Sequence, residues 1–128
     1  MTRFFLRCKI HRATVTEANV DYEGSITIDR DLLDAAGLQP YEKVEIYNVT
    51  RGTRFETYAI EGEAGAGEIC VNGAAAHLVE VGDLVIIACY CALEPKEIAD
   101  HQPTLVFVDR ENRIRTIKHA ETAKTVSV

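Results

Sequence analysis

The segment Phe4-Phe5-Leu6-Arg7-Cys8-Lys9-Ile10-His11 decides the fold class, because apolar and polar side chains largely alternate along it. A period of two is typical of a β-strand with one buried face. Lys9 and His11 lie on the more polar face of this strand. We therefore predict a mainly β protein.

The rest of the chain repeats the pattern in short runs separated by turn residues. Strands are predicted at residues 26–28, 44–49, 54–60, 68–71, 84–93, 104–108 and 114–118. The run 84–93 is apolar on both faces, which predicts a central strand covered on both sides. Many short strands with one or two short helices predict a small β-barrel.

Local signals predict one short helix and several turns. Asp29 is a suitable N-cap for a helix that carries Leu32 and Leu33, and Gly37 suits the left-handed position at its end. The glycine-rich segment 62–67 lacks the Lys-Ser/Thr ending of a phosphate loop, so we interpret it as a hairpin loop. Residues 72–76 predict a single helical turn.

The 128 residues, 47% of them apolar and 27% charged, fit one globular domain. We assign residues 1–118 to a single β-barrel domain and residues 119–128, which lack periodicity, to a mobile tail. The formal net charge of -6 argues against broad nucleic-acid binding. No signal-peptide pattern is found, and the longest apolar stretch is about half of what spans a bilayer, so we expect a cytoplasmic protein.

The cysteines and histidines do not form a metal-binding pattern. The four cysteines lie in apolar strand-like runs without the spacing of a zinc site or a C-x-x-C motif. Reduced cysteines acting as small core residues explain this pattern better. The four histidines are scattered. We assign no metal. The residues concerned are Cys8, Cys70, Cys89, Cys91, His11, His77, His101 and His119.

Five segments resemble one known family in their order and spacing. The family is bacterial aspartate 1-decarboxylase, and the similarity extends from about Lys9 to Leu93. Gly24-Ser25 by itself is a common loop dipeptide, and only its surroundings make it specific. The five segments are Lys9-Ile10-His11-Arg12-Ala13, Tyr22-Glu23-Gly24-Ser25-Ile26-Thr27-Ile28-Asp29, Asn48-Val49-Thr50-Arg51-Gly52, Arg54-Phe55-Glu56-Thr57-Tyr58 and Asn72-Gly73-Ala74-Ala75-Ala76.

The resemblance implies a fold, an assembly and a reaction. The family is a double-psi β-barrel and a homotetramer with active sites between neighbouring subunits. It converts L-aspartate to β-alanine and carbon dioxide, a step toward pantothenate and coenzyme A. The chain is then expected to cut itself between Gly24 and Ser25 into a β-chain, residues 1–24, and an α-chain, residues 25–128. The implied cofactor is a pyruvoyl group derived from Ser25, without a metal; a processing activator is left open as a partner.

Elementary chemistry explains these residue types. Losing carbon dioxide from an amino acid leaves a carbanion, which needs an electron sink, and no natural side chain supplies an electrophilic carbonyl. Serine offers both a nucleophilic oxygen and a β-leaving group. Glycine before it permits backbone conformations that are closed to other residues. Ser25 and Gly24 are therefore suited to making such a carbonyl from the backbone itself.

The resemblance also assigns roles in processing. Thr57 donates to the oxyanion that forms when the Ser25 hydroxyl attacks the Gly24 carbonyl. Tyr22 and His11 flank the cleavage segment and are expected to shape it rather than to react.

Substrate roles are implied for the remaining matched residues. Arg54 suits the side-chain carboxylate of aspartate because its planar fork can bind bidentately, and Lys9 faces the α-carboxylate. Tyr58 is the candidate proton donor to the carbanion. Tyr58 lies on the same strand face as Arg54, four residues earlier. Thr57 is also expected to contact substrate, but its position in the strand puts it on the opposite face.

A cradle of small residues is expected to complete the substrate site. Gly73, Ala74 and Ala75 lie at the start of a helical turn, where backbone N–H groups can bind a carboxylate. Asn72 is expected to hold that turn and to contact the region of the cofactor. An ordinary Asn-Gly hairpin turn is the alternative for this segment.

Two other functions fit parts of the sequence. Residues 25–46 also resemble the swapped-hairpin β-barrels of bacterial transition-state regulators, which bind DNA without enzymatic activity. Acidic residues dominate that stretch, and the regulator pattern does not explain residues 54–58 or 72–74. A cysteine hydrolase that uses Cys8 with His11, or Cys70 with His77, lacks a third orienting group.

Overall fold

Nine strands, two short α-helices and a 3-10 helix make up the computed structural model, which describes residues 1–127. The strands are β1 Arg3–Thr14, β2 Glu17–Asn19, β3 Ile26–Asp29, β4 Lys43–Asn48, β5 Arg54–Gly62, β6 Ile69–Asn72, β7 Leu84–Leu93, β8 Thr104–Val108 and β9 Ile114–Lys118. The helices are α1 Arg30–Ala36, the 3-10 helix Gly73–Leu78 and α2 Pro95–Ile98.

The strands form one sheet in the order β2-β6-β3-β5-β4-β7-β1-β8-β9. Because β2 follows β1 after only two residues, the chain itself joins β2, at one end of this order, to β1. Thr16 N donates to Ile69 O (2.8 Å) and Val15 N donates to Asp83 O (2.9 Å) across the junction. The sheet therefore closes on itself, and β8 and β9 extend beyond it as a hairpin. The predicted mainly β fold with a small barrel is confirmed.

The core lies inside this closed sheet and contains aliphatic side chains from nearly every strand. Successive side chains of a strand point to opposite faces, so buried residues alternate with more exposed ones, as predicted for β1. Two leucines of α1 join the same cluster. Fully buried members are Ile10, Ile26, Ile28, Leu32, Leu33, Ile46, Ile69, Val71, Val85 and Ile87.

The helix α1 begins and ends as its sequence predicts. The Asp29 carboxylate accepts from Asp31 N at 2.8 Å, and Gly37 is left-handed with φ 75°. Asp29 is only 2% exposed, and its two oxygens also accept from Gly65 N (3.1 Å) and Gly67 N (2.7 Å). One buried carboxylate therefore caps the helix and ties down the glycine-rich loop.

Two sequence interpretations are corrected here. Residues 62–67 are not a hairpin loop, because β5 pairs in parallel with β3 while β6 pairs antiparallel with the other side of β3. The loop crosses from one side of β3 to the other and wraps Asp29. The strand 84–93 is central, between β1 and β4, but only its first half is buried; Tyr90 is 40% exposed.

Within residues 1–127, no helix has the length and apolar character needed to cross a membrane.

Candidate functional site

Residues 20–25, which precede β3, form a turn that contains Gly24. Gly24 has φ 84°, in the left-handed region that favours glycine. A Cβ at Gly24 would lie 2.8 Å from Ile60 Cδ1, so the segment also presses against β5. A side chain at the residue before Ser25 is therefore disfavoured by the backbone conformation, and it would require the end of the Ile60 side chain to shift.

Asn72 holds the other side of Ser25. Its backbone N–H donates to the Ser25 carbonyl at 2.8 Å, and its side-chain Nδ2 donates to Thr27 Oγ1 at 3.0 Å. The Cys70 thiol donates to Asn72 Oδ1 at 2.9 Å, which fixes the orientation of the amide. Asn72 is 2% exposed, so this network is buried. Asn72 therefore lies beside Ser25, and its expected contact with the cofactor stays a prediction.

The cradle of small residues faces the same turn. Gly73 has φ 66°, and a Cβ there would lie 3.7 Å from the carbonyl oxygens of both Gly24 and Tyr22. The 3-10 helix starts at Gly73, so the N–H groups of Gly73, Ala74 and Ala75 belong to its unpaired first turn. The backbone of Gly73 thus lies close to the Gly24-Ser25 bond; its left-handed φ favours glycine, whereas a Cβ at 3.7 Å would make only ordinary contacts.

Tyr22 is half-exposed at the edge of this turn. Its hydroxyl is hydrogen-bonded to Glu17, which raises the pKa of Tyr22, and its backbone N–H lies 3.4 Å from Asn19 O. These contacts fix the chain from β2 into the turn. They agree with a shaping role.

Strand β5 carries the next group of candidate residues past Ser25. Ile26 pairs with Ala59 in the parallel β3–β5 ladder, so the residues just before them, Ser25 and Tyr58, lie at the same level of adjacent strands. Arg54 and Tyr58 are both exposed, and the intervening Phe55 packs against the core. The predicted common face of Arg54 and Tyr58 is therefore present.

Arg54 is held over an aromatic ring rather than against an acid. Its guanidinium carbon lies 4.2 Å from the centroid of Tyr47, the residue paired with it in the β4–β5 ladder. Tyr58 lies beside Tyr41, with ring centroids 6.2 Å apart. Tyr47 was not among the predicted site residues. Counting outward from the predicted Arg51-Gly52 turn would pair residue 47 with residue 56, so the sequence did not indicate that Tyr47 lies opposite Arg54.

Thr57 is half-buried and lies on the same face of β5 as Phe55 and Ala59. It pairs with Val44 across β4–β5. Nothing within residues 1–127 joins its side chain to Ser25, so its assigned role as an oxyanion donor remains a prediction.

Lys9 and His11 lie elsewhere, on the face of β1 that meets β8 and the C-terminal segment. Lys9 Nζ is 3.2 Å from Glu121 Oε2, and His11 Nε2 is 2.8 Å from Ser127 Oγ. Together with Phe107 and residues 120–127 they line a cavity of about 600 Å³. The sequence did not indicate these partners, because residues 119–128 carry no pattern.

The surroundings of His11 keep it neutral. Burial and the nearby charges of Lys9 and Arg12 lower the pKa of His11 to about 4, and Glu121 offsets this only in part. Its Nδ1 is buried and has no hydrogen-bond partner within the described chain. In this position His11 is a neutral group that can accept or donate one hydrogen bond.

One group of potential metal ligands is present in the described chain. Glu17, Glu68 and Cys70 bring their ligand atoms within 4.8 Å of one another. Burial and the two carboxylates raise the pKa of Cys70 to about 11, and its thiol donates to Asn72. A protonated thiol already used as a donor supports a structural role for Cys70.

The structure thus brings Tyr22, Gly24, Ser25, Asn72 and Gly73 together, with Tyr58 level on the next strand. It leaves Lys9 and His11 in a second group. In the sheet order, three strands separate β1 from β3.

Comparisons with known proteins give one consistent result. The family model described as aspartate decarboxylase matches residues 1–115. An aspartate 1-decarboxylase of Myxococcus xanthus is 60% identical over 114 residues, which cover 89% of this chain and 88% of that protein. One from Legionella pneumophila is 60% identical over 116 residues, covering 91% and 87%, and one from Neisseria meningitidis is 57% identical over 126 residues, covering 98% and 99%.

Proposed function

The chain belongs to the aspartate decarboxylase family, and we propose that it converts L-aspartate to β-alanine and carbon dioxide with a cofactor cut from its own backbone. It is an enzyme, a carboxy-lyase, of β-alanine and pantothenate biosynthesis. A DNA-binding regulator has no support in these matches.

The observation that carries the proposed cofactor is the way the Gly24-Ser25 bond is held. Gly24 is left-handed at φ 84°, Asn72 N–H donates to the Ser25 carbonyl at 2.8 Å, and a Cβ at Gly73 would lie 3.7 Å from the Gly24 carbonyl oxygen. These contacts hold the two residues that flank the bond, which supports an intramolecular attack of the Ser25 hydroxyl on the Gly24 carbonyl.

The proposed self-cleavage balances with the atoms of this segment and one water. Ser25 Oγ attacks the Gly24 carbonyl carbon, the C–N bond breaks, and the amide becomes an ester with a free Ser25 amine. Elimination then breaks the Ser25 Cβ–O bond, releases the Gly24 carboxylate and leaves a dehydroalanine. Water replaces the nitrogen, which leaves as ammonia, and a ketone remains at the former Ser25 Cα.

The surroundings of Ser25 fit a pyruvoyl group, which supplies an electron sink for the carbanion left by decarboxylation. The Ser25 carbonyl survives the cleavage, so the hydrogen bond from Asn72 N–H would persist and orient the new N-terminus. Ile26 would remain anchored in the β3 ladder. The end of the α-chain would then stay in place after the bond before it is cut.

Exposed residues of β5 are proposed to bind the substrate and move its proton. Arg54 stacks on Tyr47 and makes no ion pair within residues 1–127, so its fork is open to a carboxylate. Tyr58, level with Ser25, is suited to return a proton to the substrate carbon. The first-turn N–H groups of Gly73, Ala74 and Ala75 are suited to the other carboxylate.

We propose that neighbouring subunits of a homotetramer complete each site with Lys9 and His11. Within one chain these residues lie on β1, which the sheet order does not place next to β3. The outer face of the barrel also carries apolar side chains that a partner could cover, since Phe4 is 82% exposed and Tyr90 is 40% exposed. An accessory activator of processing is compatible with this scheme. The four unpaired cysteines favour the cytoplasm.

Changing Ser25 tests the proposal. Ser25→Ala should keep the chain at 128 residues and form no β-alanine, whereas the wild type should separate under denaturing conditions into fragments of residues 1–24 and 25–128. Intact mass and a β-alanine assay give the two readouts. Ser127→Ala is the matched control, because Ser127 is the other serine of the chain and should cleave normally. Cleavage of Ser25→Ala would contradict the proposal.

A further inference from the structure

Two cysteines that the proposed mechanism does not use lie directly opposite each other. Cys8 of β1 pairs in register with Cys89 of β7, so the two side chains lie on the same face of the sheet. Both side chains are buried, with 0% and 3% exposure. Two neighbouring buried thiols can react with each other, which the sequence did not indicate.

A β-bulge brings a cation to this pair. The β1–β7 register shifts between Leu6 and Cys8, so Arg7 is the extra residue of β1. Arg7 Nη2 lies 3.4 Å from Cys89 Sγ and 2.8 Å from Glu42 Oε2, and Nη1 donates to Gly37 O at 2.9 Å. Two acceptors therefore fix the guanidinium beside the Cys89 sulfur.

The two sulfurs are electrostatically unequal. The neighbouring Cys8 thiol and the Arg7 guanidinium lower the pKa of Cys89 to about 7, whereas burial and Glu42 act to raise it. The neighbouring Cys89 and burial raise the pKa of Cys8. Because Arg7 Nη2 contacts the Cys89 sulfur, Cys89 is the more acidic thiol of the pair and supplies the thiolate for reaction. By contrast, burial raises the pKa of Cys70 to about 11.

We propose that Cys8 and Cys89 are a peroxide-sensitive redox pair that closes to a disulfide between β1 and β7. The Cys89 thiolate attacks a hydroperoxide, the O–O bond breaks, and one proton yields a sulfenic acid and an alcohol or water. The Cys8 thiol then attacks the Cys89 sulfur and expels water. The two thiols are oxidised to a disulfide, and the hydroperoxide is reduced because it accepts both electrons.

The geometry of the strands allows this bond. Directly opposed residues of an antiparallel pair have Cβ atoms about 4.5–5.5 Å apart, close to the 3.5–4.5 Å of a disulfide. Movement at the adjacent bulge would have to close the remaining distance. Arg7 and Glu42, 28% and 31% exposed, contact Cys89, which is itself 3% exposed, so their side chains are the ones that must move to admit a small peroxide.

The position of the pair on either side of Gly24-Ser25 sharpens the test. Cys8 lies in residues 1–24 and Cys89 in residues 25–128, so the disulfide would link the two fragments of a cleaved chain. In the Ser25→Ala chain it would form within one polypeptide. This second form makes the redox pair testable independently of the proposed function.

Purified Ser25→Ala protein is treated with hydrogen peroxide, denatured, alkylated and mapped by mass spectrometry. We expect a loss of about 2 Da and one Cys8–Cys89 linked peptide that dithiothreitol releases. Arg7→Met should slow the reaction about tenfold, because the rate follows the thiolate fraction. Cys89→Ser should abolish the linkage, whereas Cys70→Ser and Cys91→Ser should retain it.

Wild-type protein that has cleaved gives a second readout. Its fragments should migrate as one species after peroxide and separate again on reduction. The proposal is overturned if Cys8 and Cys89 both remain alkylatable after peroxide, if the linkage forms through Cys91, or if Cys89 stops at the sulfinic acid while Cys8 stays free.

Discussion

Gly24 is subject to two constraints that can be separated by mutation. Its φ of 84° strains any other residue, and a Cβ would lie 2.8 Å from Ile60 Cδ1. Gly52 has a similar φ of 78° with nothing within 4 Å, so it carries the backbone constraint alone. We expect Gly52→Ala to lower the free energy of unfolding by about 1–2 kcal/mol. Gly24→Ala should lower it further and slow cleavage.

A second substitution tests whether the contact with Ile60 causes the additional loss of stability in Gly24→Ala. Ile60→Val removes the Cδ1 atom, so adding Gly24→Ala to Ile60→Val should cost about as much as Gly52→Ala costs in the parent chain. Urea denaturation in the Ser25→Ala background measures stability, and intact mass against time measures cleavage where Ser25 is kept. Equal stability of Gly24→Ala and Gly52→Ala would show that the contact with Ile60 has no effect.

His11 makes stability depend on pH in a defined direction. Its pKa is lowered from 6.5 to about 4 in the fold, so below about pH 6.5 the unfolded chain binds the proton more readily. Its contribution to the free energy of unfolding is complete above pH 6.5 and is lost as the pH falls toward 4. The partial exposure of this site reduces the effect to about 1–2 kcal/mol.

Denaturation at pH 7 and pH 5 tests this dependence. His11→Gln should show a smaller loss of stability between the two values than the parent chain, whereas His77→Gln, at an exposed position, should match the parent. An NMR titration that gives His11 a pKa near 6.5 would contradict the expectation.

At the scale of elements, Asp29 links the start of α1 to the crossover between β5 and β6. Its buried carboxylate accepts from Asp31 N, Gly65 N and Gly67 N. Asp29→Ala loses an N-cap worth about 1 kcal/mol and leaves two loop N–H groups unpaired, so we expect a loss of about 3 kcal/mol or more in urea denaturation. Asp31→Ala, on the exposed first turn, should cost under about 1 kcal/mol. Equal losses would contradict this role.

The same region shows why some elements were predictable from the sequence and others were not. Asp29 and Gly37 act within a few residues, so the helix ends were visible in the sequence. The route of residues 62–67 depends on the parallel pairing of β3 with β5, which no local pattern records. Strand β2 has three residues, too few to show a period.

At the scale of the whole molecule, the sequence predicted which residues belong to the candidate site but not how they are arranged in space. The matched segments identified Ser25, Asn72 and Gly73, and the barrel brings these together. Lys9 and His11 came from the same matching, yet they lie on β1 beside β8 and residues 120–127. In the proposed assembly these two residues meet the Ser25 group only between subunits, and contacts between subunits leave no spacing along the chain.

Assembly of the site from two subunits predicts rescue between inactive variants. Lys9→Ala and Tyr58→Phe should each lose turnover, since each removes a group proposed to contact the substrate. When the two variants are co-expressed, a site that takes Lys9 from one subunit and Tyr58 from its neighbour will draw both intact residues in about a quarter of random pairings. We therefore expect β-alanine formation to return to about a quarter of the wild-type rate.

Co-expression of Arg54→Met with Tyr58→Phe is the matched control, because both residues lie on one face of β5 and no subunit can supply them separately. Cleavage should be measured by mass in every sample, so that turnover is compared per processed chain. Failure of the first pair to regain activity, with cleavage and mixed assembly verified, would place Lys9 and Tyr58 in sites of a single chain.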